Sequence, residues 1–527
     1  MDRNGLSRRT LLERLSLVGG VGLMMAGMEA FGYGIASASN APPPLPGSAK
    51  GKKLIVLGAG IAGLATAIEA MKAGYEVQII EARSFAGGRA QTARKGFSLT
   101  ELGGETQTCD FDEGGYINHG PWRIPYHHRS TLHYAKTLGV PLEVFINDND
   151  ASYLFFENGK GPLKAKAVRK GQIAADARGH AAEMLAKVAK KGGLDDMVTA
   201  DDRDRLVAYL IDEGYLSPKD LAYTGAEGRG FDVDPGAGVD PGPGKPSTPF
   251  SMTDVLSSGA WRVLASVTSY DQQRTMFQPS GGMDQIVKAM EKKVQPAIRY
   301  STVVEKVAQN AAGVEVFVVD GAGKKSSVKG DYIVCTIPLS VLRSIDMQVS
   351  PRFKQAIGAP AYAPVGKIGL QMKRRFWEED DHIYGGHIYT DNLDILTISF
   401  PSWGWMGNKG VLLGYYNFGG SAAKISAKSP AERAAFAVAF GNKVMPQYAE
   451  NYEKSFSVAW HRVQYNLGGW VEWNDQTRKD EYPVLCEPDG RIYLAGEHIS
   501  YITGWQAGAI ESAWQQLAKI HKRVQAA

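Results

Sequence analysis

The spacing of apolar positions changes several times along this chain. Residues 54–57 (LIVL) form an unbroken apolar run behind Lys50, Lys52 and Lys53 and read as a buried strand. Residues 61–72 then follow the helical period, Gly74 marks the stop, and 75–80 (YEVQII) predicts a second strand, so this part reads as a βαβ unit. From 160 to about 205 the composition turns to Ala, Lys and Glu at helical spacing, as in AADARGHAAEMLAKVAKK, which predicts a helical insertion. Residues 225–246 are rich in Gly and Pro and predict a long loop. Strand patterns return over 297–319 and 331–337, where the GAGK turn in VEVFVVDGAGKKSSVKG predicts a hairpin. A sheet-rich stretch over 364–418 includes HIYTDNLDILTISF and GVLLGYYNFG, and a helix is expected over 430–440. A last strand, RIYLAGE, precedes a helix in GAIESAWQQLAKIHKRV. The sum is an α/β protein with two interleaved domains.

Composition narrows this picture a little. At 527 residues and 44% hydrophobic, the chain is long enough for more than one domain. Its formal charge of +4 comes from 59 basic and 55 acidic residues with no basic stripe, so no nucleic-acid partner is expected. Cys109, Cys335 and Cys486 lie far apart without CxxC spacing and read as buried apolar residues. The N-terminal region has Arg8 and Arg9, an apolar run over 15–28, and small residues Ala36, Ser37 and Ala38 at a cleavage position. It resembles a twin-arginine export signal, although Glu13 replaces the usual basic residue. The run is shorter than the roughly 20 residues needed to cross a bilayer, so no stable membrane insertion is expected. Export to the periplasm or medium follows, or a cytoplasmic location if the leader does not function.

Chemistry enters at the first strand-to-helix turn. Gly58, Gly60 and Gly63 form GxGxxG there, with Ala59, Ile61 and Ala62 between them. The first glycine permits the tight turn, the second lets backbone approach a pyrophosphate, and the third allows close helix packing, while the helix N-terminus faces the anion. Glu81 ends the next strand, at the spacing expected of an acid that accepts bonds from an unphosphorylated ribose. FAD and NAD both remain open at this point. In EARSFAGGRAQT, over 81–92, a glycine pair and Arg89 would add flexible backbone and a fixed cation beside the same pyrophosphate.

This second motif resembles that of the flavin-dependent amine oxidase superfamily. PSGGMDQI at 279–286 resembles the family's return to the flavin domain, Val304 lies where the family touches adenine through backbone, and AGE at 495–497 resembles its C-terminal flavin motif. The resemblance covers most of residues 52–520 and implies a Rossmann-like FAD-binding domain interleaved with a mixed-sheet substrate domain, as in two-domain flavoproteins of the amine oxidase and glutathione reductase type. The implied pieces are a leader over 1–40, FAD-binding segments over 50–120, 276–345 and 471–527, substrate segments over 121–160 and 346–470, and an insertion over 161–275. FAD contacts are implied for Ala82, Arg83, Gly88, Gly120, Pro121, Trp122, Arg123, Gly496, Glu497, Gly504 and Trp505, with Gly103, Gly104 and Glu105 as further candidates.

Within the superfamily, NHGPWRIP at 118–125 resembles a segment of L-amino acid oxidases. That resemblance makes Arg123 the clamp for a substrate carboxylate, a task suited to a guanidinium with two parallel donors. Tyr415 is matched to the tyrosine that shares the carboxylate; since Tyr415 and Tyr416 face opposite sides of a strand, one of them alone can serve. The carbonyl of Gly504 is expected to receive the amine and Trp505 to wall the pocket. Lys367 is matched to the lysine that holds a water near flavin N5 and assists reoxidation by dioxygen. Trp470 stands where related monoamine oxidases carry a flavin-linked cysteine, so FAD is expected to be non-covalent, and its bulk favours an apolar or aromatic substrate.

His127, His128 and His133 lack partners at metal-ligand spacing and read as surface or loop residues, so no metal is expected. The implied activity is oxidative deamination of L-amino acids to a 2-oxo acid, ammonia and hydrogen peroxide. A monoamine or polyamine oxidase, an amino acid 2-monooxygenase, and a binder that has lost its flavin are the alternatives. A homodimer or higher homo-oligomer is expected.

Overall fold

The structure, a computed structural model, describes residues 39–240, 242–265 and 270–526. The twin-arginine leader therefore lies almost wholly outside the described residues.

The apolar run LIVL becomes the strand Lys53–Leu57, centre of a five-stranded sheet in the order Ile298–Arg299, Glu76–Ile80, Lys53–Leu57, Tyr332–Cys335, Ile492–Leu494. Every pairing in it is parallel. A central parallel strand is covered on both faces, which is why its residues are apolar without alternation. Leu54 and Val56 pack beneath the helices Ile61–Lys72, Asp284–Val294 and Gln506–Gln525, whereas Ile55 and Leu57 face a second layer that includes Val304, Val307 and Val316. That layer contains the expected hairpin, with Val314–Asp320 antiparallel to Lys325–Gly330. The first helix and both flanking strands lie within one residue of their expected limits.

A seven-stranded mixed sheet forms the other half, in the order Tyr452–Ala459, Val365–Met372, Gly410–Phe418, Thr397–Ser399, His387–Thr390, Tyr153–Phe155, Ala167–Arg169. One face buries Ile368, Leu370, Leu412 and Tyr415 against the helix Pro430–Val444. That helix carries a capping box between Ser429 and Glu432, and runs four residues beyond the expected 440.

In the insertion, the helices Lys170–Lys190 and Ala200–Gly214 share a small apolar cluster that includes Ala182, Ala186 and Leu210. The Gly/Pro-rich stretch is more ordered than a plain loop, with a short hairpin pairing Phe231–Val233 to Lys245–Pro246. Buried Arg229 pins it to Asp176 and to the Thr248 carbonyl at 2.6 Å.

Candidate active site

A cavity of about 660 Å³ runs between the two sheets. The ends of parallel strands open onto it, as expected of α/β sheets, since Gly58, Glu81, Thr336 and Gly496 all line it.

At the nucleotide end the turn is held by short-range bonds. Glu81 accepts from Ala59 N–H at 2.7 Å and from Arg83 N–H at 2.9 Å. Burial raises the Glu81 pKa, against the lowering effect of these amides. Gly63 does not line the cavity; a Cβ there would lie 1.9 Å from the Gly58 carbonyl oxygen, so its role is the close approach of helix to turn. Ala59 is likewise buried behind the lining. Gly60, Ile61, Ala62, Ala82, Arg83, Gly88 and Val304 do line it. Arg83 spans to the Gln464 carbonyl at 2.7 Å and to Asn466.

Glu497 ties three distant motifs together. It accepts from Arg89 Nη1 at 2.8 Å, from Val471 N–H at 3.3 Å and from Gly504 N–H at 3.3 Å. Burial pulls the Arg89 pKa down, but Glu497 more than offsets it and the net shift is upward. Arg89 is thus a paired cation in the cavity wall.

The residues present fit FAD. A Cβ on Gly60 would meet nothing within 4 Å, leaving an open cradle at the start of a helix that no side chain caps. At the far end, Thr503 Oγ1 and both amide atoms of Gln506 are buried and unpartnered among the described residues, in the cavity wall where the last helix begins. They and the helix N-terminus suit the polar edge of a flavin. None of the three cysteines lines the cavity, and Trp470 does.

The family model for flavin-containing amine oxidoreductase matches residues 61–516. The chain belongs to this family. FAD is the cofactor of these flavin-containing amine oxidoreductases, and this chain's residues suit non-covalent binding. Curated relatives include an L-amino-acid oxidase of Echis ocellatus, 27% identical over 88% of this chain and 87% of that protein. The flavin-dependent L-tryptophan oxidase RebO of Lentzea aerocolonigenes is also 27% identical, over 88% of this chain and 96% of its own. Among solved structures, cyclohexylamine oxidase from Brevibacterium oxydans IH-35A superposes with a TM-score of 0.60 at 16% identity, covering 90% of this chain and 99% of that one. Wild-type putrescine oxidase bound to putrescine gives a TM-score of 0.57 at 18% identity, with the same coverage. These structures share the fold.

The opposite end of this amine oxidoreductase cavity is aromatic, with Trp122, Tyr416, Phe418, Trp470 and Trp505 in its wall. The Arg123 carbon Cζ lies 4.8 Å from the Trp122 ring centre and 6.0 Å from that of Trp505, and Nη2 donates to Gln272 Oε1 at 2.7 Å. Burial lowers the Arg123 pKa. Gly120 and Pro121 line the wall beside it, and a Cβ on Gly504 would lie 3.5 Å from the Trp470 ring.

Lys367 is buried, donates to the carbonyls of Gly120 at 2.6 Å and Asn118 at 3.2 Å, and sits 4.3 Å from the Tyr416 ring centre. Burial, then Arg123, pulls its pKa well below the usual lysine value.

Tyr415 is a correction. It lies 1% exposed in the apolar cluster on the far face of the sheet and does not line the cavity; Tyr416 does. A β-bulge decides this. Lys367 pairs with Tyr416 and Ile368 with Tyr415, but Gly369 pairs with Leu413, so Gly414 is the extra residue. Simple alternation would place 415 on the face of Leu413; the bulge shifts the phase and brings Tyr416 there instead. Gly414 is suited to the bulge because a Cβ would crowd Leu370 at 2.7 Å.

Two further expectations change. His127 and His128 lie in a loop, as expected, but are buried and not on the surface: His127 Nε2 lies 3.0 Å from the Tyr270 carbonyl, and His128 lines the cavity edge-on to Trp505 at 4.7 Å. Gly103, Gly104 and Glu105 are exposed and away from the cavity. Asp271, Gln272 and His387 reach the cavity unpredicted. The first two come from the end of the insertion, and no local motif marks them.

Proposed function

We propose that this chain is an FAD-dependent oxidase that deaminates L-amino acids with apolar or aromatic side chains to the 2-oxo acid, ammonia and hydrogen peroxide. One observation carries the reading. Arg123 lines the aromatic end of the cavity with its hydrogen bond made to the neutral Gln272 carboxamide; no carboxylate lies within salt-bridge distance of it among the described residues, and Asp271 acts on it only at longer range. An enclosed guanidinium with no directly paired carboxylate is costly, and a substrate carboxylate supplies that pairing. The relatives named as L-amino-acid and L-tryptophan oxidases support the same substrate class.

In this reading Arg123 holds the carboxylate together with the Tyr416 hydroxyl, and the Gly504 carbonyl accepts from the neutral amine. Trp505, Trp122, Phe418 and Trp470 exclude water and contact the side chain. FAD, held by Gly60, Glu81, Arg89, Thr503 and Gln506, would supply an acceptor for the Cα hydride and a route for the electrons to dioxygen. Lys367, held by the carbonyls of Gly120 and Asn118, keeps a water in place beside the flavin position. Positioning supplies much of the rate.

A peroxide assay across L- and D-amino acids and their parent amines tests this. L-selective turnover with ammonia and 2-oxo acid is expected, and Arg123→Lys should raise KM for amino acids about 10- to 100-fold, since the bidentate donors are lost. Equal turnover of an amine and its parent amino acid, or release of carbon dioxide with an amide, overturns the reading.

We also propose that the twin-arginine leader exports the chain, and that it works as a homodimer or higher homo-oligomer. No helix among the described residues is long and apolar enough to cross a membrane. Cell fractionation of Arg8→Lys/Arg9→Lys and sedimentation of the purified enzyme test these two points.

A further inference from the structure

We propose that Gln272 is an internal competitor for the carboxylate clamp, and that a substrate carboxylate binds Arg123 by displacing it. This rests on the reading of Arg123 given above. Gln272 Oε1 accepts from Arg123 Nη2 at 2.7 Å. Nη2 is the nitrogen shared by the two edges on which a guanidinium takes a carboxylate with parallel bonds, the Nε–Nη2 edge and the Nη1–Nη2 edge. A carboxamide has one acceptor oxygen where a carboxylate has two. With that oxygen on Nη2, the buried Nε–H of Arg123 is left without a partner. A carboxylate on the Nε–Nη2 edge would satisfy both donors, so the orphaned Nε records a site that Gln272 fills by half.

The other end of the side chain is loosely held. Gln272 Nε2 donates to Asp271 Oδ2 at 3.3 Å, near the limit for a hydrogen bond. Both residues line the cavity and lie at the end of the insertion, just before the strand Thr275–Pro279. A rotation of this one side chain releases the clamp without moving the strand. Gln272 therefore lowers apparent affinity for every amino acid, while it keeps the buried guanidinium partly satisfied between turnovers.

The test is calorimetric titration of the holoenzyme with benzoate, a carboxylate that does not turn over, alongside steady-state kinetics on the best L-amino acid. Gln272→Ala should tighten benzoate binding and lower KM about 3- to 10-fold, the scale of one hydrogen bond to a charged group, with kcat within about twofold. Gln272→Glu, nearly isosteric, should place a permanent carboxylate on Arg123 and weaken both about tenfold or more. Weaker or unchanged benzoate binding in Gln272→Ala overturns the proposal, because a residue that merely positioned Arg123 would lose affinity on removal. If Gln272→Ala does not fold, unchanged binding in Gln272→Glu overturns it equally. Arg123→Lys separates the two levels: if it leaves benzoate binding intact, the clamp reading itself falls; if it abolishes binding while Gln272→Ala fails to tighten it, Gln272 alone is refuted.

Discussion

The two ends of the cavity are built by different means. At the nucleotide end the deciding bond, Ala59 N–H to Glu81, joins residues 22 apart, and glycine backbone does most of the shaping. At the substrate end, Lys367 reaches Gly120 across 247 residues and Arg123 reaches Gln272 across 149. Local backbone geometry shapes the first turn, although Arg83 and Arg89 reach across 381 and 408 residues to brace it, and side chains from separate strands shape the second. A nucleotide site of this kind can be recognised from a short motif; a substrate site depends on the phase of each strand that reaches it.

The largest expected effect tests the first half of that contrast. Gly63→Ala forces a Cβ into the Gly58 carbonyl and should destabilise the protein by about 3 kcal/mol or more, with loss of bound flavin. Flavin content and thermal unfolding would show it, and a flavin-loaded variant with unchanged Tm would mean the turn tolerates more than its geometry indicates. Next in size, Lys367→Met should slow reoxidation by dioxygen about 10²-fold, the scale of a removed electrostatic group, while reduction by substrate changes little. Stopped-flow measurement of the two half-reactions separates these.

The tyrosine pair sharpens the comparison directly. Tyr416→Phe should raise KM for amino acids about 5- to 10-fold, whereas Tyr415→Phe should change it less than about twofold. The reverse order would mean the bulge does not set the phase. The smallest effect concerns pH. The folded pKa of Lys367 is below its ordinary value of 10.5, so the unfolded chain holds a proton where the folded one releases it, and burial of this amine costs stability at lower pH. That cost disappears as pH rises toward 10.5. The Tm difference between wild type and Lys367→Met should therefore shift in favour of the wild type as pH is raised from 7 to 10.

How far each feature could be read in advance follows from the same physics. The βαβ unit, the hairpin over 314–330 and the helix after Ser429 carry strong local signals, and each formed close to its expected limits. His127 and His128 went unrecognised as buried because a polar residue's burial depends on what covers it, here Tyr270 and Trp505. Gly103 to Glu105 were drawn toward the cofactor by their glycines, yet they sit on the exposed rim beside Arg462.

By itself the sequence determined the strand–glycine turn–helix of a dinucleotide fold, the family pattern that joins Arg89 to the AGE segment, and an arginine after Gly-Pro at 123. The turn depends on backbone conformations that glycine imposes over a few residues, and the other two on recognisable motifs. Only the tertiary structure decided that Tyr416 and not Tyr415 faces the cavity, that Lys367 is buried between two carbonyls, and that Gln272 accepts a hydrogen bond from Arg123. Those outcomes depend on one inserted residue in a strand and on contacts across more than a hundred positions, where no local rule operates.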